Sequence, residues 1–227
     1  IFTQQGHAPV FIFVHGGYWR ALDKDIFLAV CSPFADRGFF AANVDYGLRP
    51  TWTVPEIVTQ VRRAIVYIAG VADRFGGCKD EIVLCGHSAG GHMGAWVASQ
   101  DLSDYGINIR AVVPVSGIFD LEPLRRTSIN DDLELDAETA RRLSPFHNLS
   151  RPQPPTLCIV GGEETEGFLN QTEKFNGALR AAGCRVETLI AEGLDHFTVC
   201  QALADPYSSV FARIMEFTKK SIQRIPG

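Results

Sequence analysis

The sequence predicts an α/β fold, one mostly parallel sheet covered by helices on both faces. Three observations predict it. Six short apolar runs rich in β-branched residues recur along the chain, at 10–14, 39–44, 81–85, 111–115, 156–160 and 186–190. Helical sequence separates most of them, the alternation that builds parallel sheets. The third run leads directly into Gly86-His87-Ser88-Ala89-Gly90 and then into small-residue helical sequence, the order strand, sharp turn, helix.

The elements follow in order. The first strand, 10–14, runs into the loop His15-Gly16-Gly17-Tyr18-Trp19. After the strand at 39–44, residues 54–74 place Ile57, Val61, Ala64, Ile65 and Ile68 on one helical face, and Gly76-Gly77 stops that helix. The strand at 81–85 precedes the glycine-bounded serine, and Gly91, Gly94, Ala95 and Ala98 line the helix after it. Residues 122–154, rich in Asp, Glu, Arg and Pro, break the rhythm and read as a cap-like excursion over the carboxyl edge of the sheet, where active residues of such sheets collect. Strand 156–160, helix 168–182 ended by Gly183, strand 186–190 and helix 206–222 complete the chain. No internal repeat or low-complexity tract interrupts them.

Composition sets bounds. At 227 residues the chain is sized for a single domain spanning 1–227. It is 46% hydrophobic and 21% charged, ordinary values for a soluble protein. A net charge of −5 supplies no basic footprint for nucleic acid. No apolar run approaches the ~20 residues that span a bilayer. Residues 1–9 lack the basic start and apolar core of a signal peptide. The numbering begins almost at a core strand, which leaves open further N-terminal strands and any address signal. Of six cysteines, Cys85 and Cys158 lie in strand-like runs, and no C-x-x-C pair exists. A cytoplasmic chain with free thiols is expected. The expected partner is a small-molecule substrate, with no nucleic acid, membrane, metal or cofactor; a homodimer is left open.

The chemistry centres on Ser88. In G-x-S-x-G the glycines make room for a serine held in a strained backbone conformation, the nucleophile elbow. A serine needs a base, and the base an orienting acid. Elbow enzymes carry these in the order serine, acid, histidine. His196, in the loop after the sixth run, is the expected base; His92 lies one helical turn past the serine, and His147 reads as a capping or surface residue. The acid belongs after strand 156–160, where Glu163, Glu164 and Glu166 crowd, with Asp120 one strand earlier as a competitor. Spacing alone does not choose among them. The oxyanion donors are expected from the N–H of Ala89 and from the loop around Gly16 and Gly17. His15 reads as a brace for that loop. Tyr18 and Trp19 read either as core aromatics or as a wall of the substrate pocket.

Several motifs carry a family resemblance. His15-Gly16-Gly17-Tyr18-Trp19 resembles the HGGxW signature of the kynurenine formamidases (arylformamidases), relatives of the hormone-sensitive-lipase-like esterases, whose usual counterpart is HGGG. The likeness continues through Asp45-Tyr46-Gly47-Leu48-Arg49-Pro50, the GHSAGGH of 86–92, Ser116-Gly117-Ile118-Phe119-Asp120-Leu121 and Leu143-Ser144-Pro145. It extends over Gly161-Gly162-Glu163-Glu164-Thr165 with Phe168 and Gln171, and ends with His196-Phe197 and Leu203-Ala204-Asp205-Pro206. These motifs run in family order from residue 10 to about 210.

The resemblance implies an α/β-hydrolase fold with Ser88 as nucleophile and His196 as base. Aligning Thr165 and Phe168 to the family's G-x-x-[DE]-[ST]-x-x-F context puts Glu164 in the acid position; glutamate there departs from the commoner aspartate and reaches one methylene further. The family's oxyanion donors map onto the backbone of Gly17, Tyr18 and Ala89. The implied reaction is metal-free hydrolysis of N-formyl-L-kynurenine to kynurenine and formate. The aryl side then needs a flat apolar slot, for which Tyr18, Trp19 and Tyr46 are the candidates. A carboxylesterase for aryl or short-acyl esters is the alternative. A silent binding protein on this fold would be expected to have lost the serine, the histidine or the loop glycines, and the chain keeps all of them.

Overall fold

The computed structural model describes residues 8–149 and 152–222. The reading of the first residues as free of a signal peptide therefore lies largely outside the described residues, as do positions 150 and 151 of the excursion.

Six strands form one all-parallel sheet: β1 (Ala8–Val14), β2 (Phe40–Val44), β3 (Gly77–His87), β4 (Ile109–Val115), β5 (Thr156–Gly161) and β6 (Val186–Ala191), in the spatial order β2-β1-β3-β4-β5-β6. The order reverses between β1 and β3: from β1 the chain moves outward to β2, then returns across to β3. Where strand order reverses, the connections leave in opposite directions and open a crevice at the carboxyl ends. The loop after β1 and the turn after β3 border that crevice.

Each strand alternates its side chains between two apolar layers. In β1, Val10, Ile12 and Val14 face the layer that contains α2 (Val54–Val71) and α3 (Ala89–Ser99); Phe11 and Phe13 face α1 (Leu28–Ala35). α2 begins at a reciprocal cap: Thr53 Oγ accepts from the Glu56 N–H, and the Glu56 carboxylate accepts from the Thr53 N–H at 2.8 Å. Its buried stripe, Ile57, Val61 and Ile65, is the one the periodicity predicts. The final α turn passes into a 3-10 turn, Ala72–Phe75, which Gly76 closes in the left-handed region.

Strand β3 starts four residues before the expected 81. Ala8 and Pro9 pair with Gly77 and Cys78, and a register shift after Pro9 accommodates the extra length. The short helix α1 escaped the sequence reading because Pro33 lies within it and no side chain caps its start.

Among its described residues the excursion contains no strand. It consists of a 3-10 turn (Glu122–Arg126), α4 (Asn130–Leu133), α5 (Ala137–Leu143) and a second 3-10 turn (Pro145–His147). Leu133, Leu135, Ala140 and Leu143 are buried in the same apolar layer as α2 and α3. Arg49, whose side chain is almost buried, donates Nε–H to the Asp132 carbonyl at 2.6 Å and pairs with Glu134. The excursion is thereby tied to the loop after β2.

After β5, α6 (Glu166–Ala181) packs Phe175 and Leu179 beside Cys158. The chain ends with α7 (Thr198–Ala204) and α8 (Ser209–Ile222), which close the layer containing Phe11 and Phe13. All six cysteines are free thiols. Among the described residues, no helix is long and apolar enough to cross a membrane.

Candidate active site

Ser88 joins β3 to α3 with φ 55° and ψ −118°, a conformation that L-residues rarely adopt. Its backbone is held on both sides: the Ser88 N–H donates to the Val115 carbonyl at 2.9 Å, and the His92 N–H donates to the Ser88 carbonyl at 3.0 Å. The flanking glycine is obligatory on packing grounds. A Cβ on Gly90 would lie 1.9 Å from the Val14 carbonyl oxygen.

The loop after β1 lies directly against this turn. A Cβ on Gly16 would lie 3.0 Å from the Ser88 Cβ. Gly17, Tyr18 and Trp19 all have positive φ (114°, 49° and 57°), and the Gly17 carbonyl accepts from the Arg20 and Ala21 N–H groups. That tight reversal leaves the Gly17 and Tyr18 N–H groups without a hydrogen bond among the described residues. Ala89 opens α3, so its N–H is one of the donors that a helix start leaves unpaired. These are the three N–H groups the sequence nominates for the oxyanion.

His15 and Tyr46 brace the loop from beneath. His15 Nδ1 donates to the Gly16 carbonyl at 2.7 Å, and its ring stacks on Tyr46 with centroids 4.2 Å apart. The Tyr46 hydroxyl lies 2.8 Å from the His15 carbonyl oxygen and 3.1 Å from that of Gly16. This corrects the expectation that Tyr46 lines the substrate slot: its ring is buried and its hydroxyl is committed to the loop backbone. Trp19 is corrected likewise. Its side chain has no exposed surface and packs edge-on against His92, because the excursion and α3 enclose it. Tyr18 remains partly exposed at the site. Burial raises its hydroxyl pKa; Arg20 opposes that rise and the Glu164 charge adds to it.

Glu164 is the carboxylate that meets a histidine. Its Oε2 accepts from His196 Nδ1 at 2.7 Å, and its Oε1 accepts from the Gly161 N–H at 2.9 Å and from the Ser116 hydroxyl. Burial pushes its pKa up, but the hydrogen bonds from His196, Ser116 and Gly161 outweigh burial and hold the carboxyl below its ordinary value. The competitors lie elsewhere. Glu163 and Glu166 are exposed, while Asp120 accepts from the Glu122 N–H at 3.1 Å and faces His147.

Of the remaining histidines, His92 is buried and donates Nε2–H to the Leu143 carbonyl at 2.8 Å, which fastens α3 to the excursion. His196 keeps about a fifth of its side chain exposed. Nδ1 is engaged by Glu164, so Nε2 is the nitrogen available to a substrate or nucleophile. Ser88 Oγ forms no hydrogen bond to His196 among the described residues; such bonds commonly tighten only with substrate in place.

Three neighbours escaped the sequence reading as site residues. His87 donates Nε2–H to the His196 carbonyl at 2.8 Å. Ser116 bonds to Glu164 as above. Phe168, in the first turn of α6, sets its ring 4.3 Å from that of His196. Among the described residues, no cluster of three His, Cys, Asp or Glu side chains is placed to hold a metal ion.

The fold and this site define an α/β-hydrolase. The BD-FAE family model matches residues 2–179. Kynurenine formamidase of Danio rerio is 35% identical over 207 residues, spanning 87% of this chain and 68% of that protein; kynurenine formamidase of Salmo salar is 32% identical, with the same coverage of each. A provisionally assigned thioesterase from Silicibacter sp. TM1040 superposes with a TM-score of 0.81 at 34% identity, covering 92% of this chain and 77% of that one. A thermophilic esterase from Thermogutta terrifontis shares the fold at a TM-score of 0.80 and 23% identity, over 100% of this chain and 88% of its own. The chain belongs to the BD-FAE family and is a hydrolase related to the kynurenine formamidases.

Proposed function

We propose that this protein is an arylformamidase that hydrolyses N-formyl-L-kynurenine to L-kynurenine and formate through a formyl-serine intermediate. The observation that carries the chemistry is Glu164 Oε2 accepting from His196 Nδ1 at 2.7 Å, in a fold that sets Ser88 at a strained turn with loop N–H groups beside it. The substrate class rests on the likeness to the formamidases of Danio rerio and Salmo salar.

In this mechanism His196 Nε2 takes the proton of Ser88 Oγ as that oxygen attacks the formyl carbon. The tetrahedral oxyanion accepts from the N–H groups of Gly17, Tyr18 and Ala89, and loss of one comparable donor costs about 2.7–4 kcal/mol of barrier. The protonated histidine then donates to the departing arylamine nitrogen. Water, activated by the same nitrogen, releases formate and restores the serine. Glu164 stays ionised and stabilises the imidazolium. The formyl carbon bears only hydrogen, so the acyl side needs little space; Tyr18 and Phe168 are the aromatic surfaces for the aryl side. Six free thiols suit a reducing, cytoplasmic setting.

An esterase is the second reading, favoured by the 30% identity over 200 residues to esterase LipC of Mycobacterium tuberculosis, of which the chain covers 49%. The test measures kcat/KM for N-formyl-L-kynurenine beside p-nitrophenyl acetate, in the wild type and in Ser88→Ala. Preference for the formyl amide, with both activities lost in the variant, supports the formamidase. Turnover of the ester alone makes the protein an esterase.

A further inference from the structure

We propose that Ser116 is a positioning residue for the reaction: its hydroxyl and the Gly161 N–H together capture one oxygen of the Glu164 carboxylate, so that the other is presented to His196. The inference rests on the reading of Ser88, Glu164 and His196 as the catalytic set and names what orients its acid.

Three observations lead to it. The first is the division of labour at the carboxylate. Among the described residues, Oε1 takes two protein donors, Ser116 Oγ from the end of β4 and Gly161 N from the end of β5, whereas Oε2 takes His196 Nδ1 alone. A carboxylate held at one oxygen by two donors has its plane fixed, and the direction of the other oxygen follows.

The second is the length of the acid. Glutamate has one more rotatable bond than aspartate, so the elevated order required for a working acid has to come from contacts. The Glu164 side chain is fully buried, and rotation would strip both donors from Oε1 with no water to replace them.

The third is the backbone at Ser116. Its φ is 50°, in the left-handed region where glycine costs least. The residue is completely buried, and its N–H donates to the Ile159 carbonyl at 2.7 Å, which ties β4 to β5 at this point. A serine kept in a strained, enclosed position is accounted for by the contact its hydroxyl makes.

The titratable groups facing Glu164 come from three other segments: His196 after β6, Tyr18 in the loop after β1, and His87 at the end of β3. Of these three titratable groups, His196 is the one that donates a hydrogen bond to the carboxylate among the described residues. Removing the Ser116 hydroxyl therefore weakens the hold on the ionised form without another side chain stepping in.

The test uses Ser116→Ala and Ser116→Gly, each also combined with Glu164→Ala, with p-nitrophenyl acetate as the probe because both functional readings turn it over. Loss of one hydrogen bond to a charged acceptor predicts a fall in kcat of about 10- to 100-fold, with KM little changed. The part of the acid-side fall in kcat that comes from protonation of Glu164 sets in at higher pH, since the carboxylate protonates more readily. Ser116→Gly relieves the left-handed strain, so it shows the same kinetic loss with a melting temperature no lower than that of Ser116→Ala. In the Glu164→Ala background neither change adds to the loss. Wild-type kcat and pH profile in both variants overturns the proposal. So does an equal loss with and without Glu164, or a loss in Ser116→Ala that Ser116→Gly restores. Full activity in Glu164→Ala alone overturns the catalytic set itself, and the role of Ser116 with it.

Discussion

The His87 ring donates Nε2–H to the backbone carbonyl of His196 at 2.8 Å, so the residue before Ser88 holds the loop that carries His196. The two imidazoles sit with centroids 4.6 Å apart. Burial, and then the proximity of His196, lower the pKa of His87 to about 3. It is a neutral donor at every pH at which the enzyme would work. Its other nitrogen, Nδ1, is buried with no partner among the described residues. Replacing His87 with Leu removes the tether while keeping an apolar filler. Steady-state kinetics should show kcat reduced roughly tenfold, the worth of one net hydrogen bond at the upper end of the usual range. Unchanged kcat would mean that packing alone holds the loop.

The buried histidines also predict how stability responds to acid. In the folded chain burial lowers the pKa of His87 to about 3 and of His92 to about 4, the Leu143 carbonyl opposing the shift at His92. The unfolded chain binds these protons near the reference value of ~6.5. Below it the unfolded state holds more protons, so this stability is complete above pH ~6.5 and is lost as pH falls toward the folded values. The limiting slope is about 1.4 kcal/mol per pH unit for each histidine. Glu164, its carboxyl held low, adds a loss of the same sign at more acid pH. Urea unfolding at pH 7, 6 and 5 should show declining stability. His92→Gln, which keeps a donor for Leu143, should lessen the slope; a flat or inverted trend in the wild type contradicts the argument.

Substitutions in the catalytic set should separate by role. Ser88→Ala is expected to lower kcat/KM by about 10⁴-fold or more, and Glu164→Gln by less, because an orienting acid contributes less than the nucleophile it serves. A fluorophosphonate probe should label the wild type, label Glu164→Gln slowly and leave Ser88→Ala unlabelled. Labelling that persists in Ser88→Ala would place the nucleophile elsewhere.

Gly90→Ala should fail through packing before chemistry. The new Cβ would meet the Val14 carbonyl oxygen at 1.9 Å, and neither backbone can yield without displacing β1 or α3. A cost of roughly 3 kcal/mol or more is expected. In a chain of this size it lowers Tm by about 10 °C. Thermal unfolding by circular dichroism reads it directly.

Arg49 fastens the excursion to the loop after β2 through the Asp132 carbonyl and Glu134. Arg49→Ala should loosen 122–149 with little effect on the sheet. Limited proteolysis should find new cleavage within that segment and a raised KM. An unaltered digestion pattern would show that the buried leucines alone hold it.

The six strands were legible because each centres on a short apolar run bounded by turn residues; β1, β4 and β5 are almost wholly buried, whereas the edge strands β2 and β6 are half open. Helices α2, α6 and α8 were legible from their periodicity. Helices α1 and α7 were not, since eight and seven residues carry too few turns for a period to show, and Pro33 interrupts the first. The excursion announced itself by composition, but its internal structure depends on what Leu133, Ala140 and Leu143 rest against.

The serine turn, the histidine after the last strand and the glycine loop could be read along the chain, because strand, glycines and helix there are consecutive and their conformation is a local matter. Resemblance to a family, rather than spacing, nominated Glu164. Tertiary structure decided how the three crowded glutamates point: Glu164 turns inward under one backbone and one side-chain donor at Oε1, while Glu163 and Glu166 face solvent. It alone revealed His87 and Ser116 as neighbours of His196 and Glu164, since their partners are 109 and 48 residues away and meet them only when the strands assemble. It also withdrew Trp19 and Tyr46 from the pocket wall. Whether an aromatic ring faces substrate or core depends on what packs over it, and for these two that is α3, the excursion and the ring of His15.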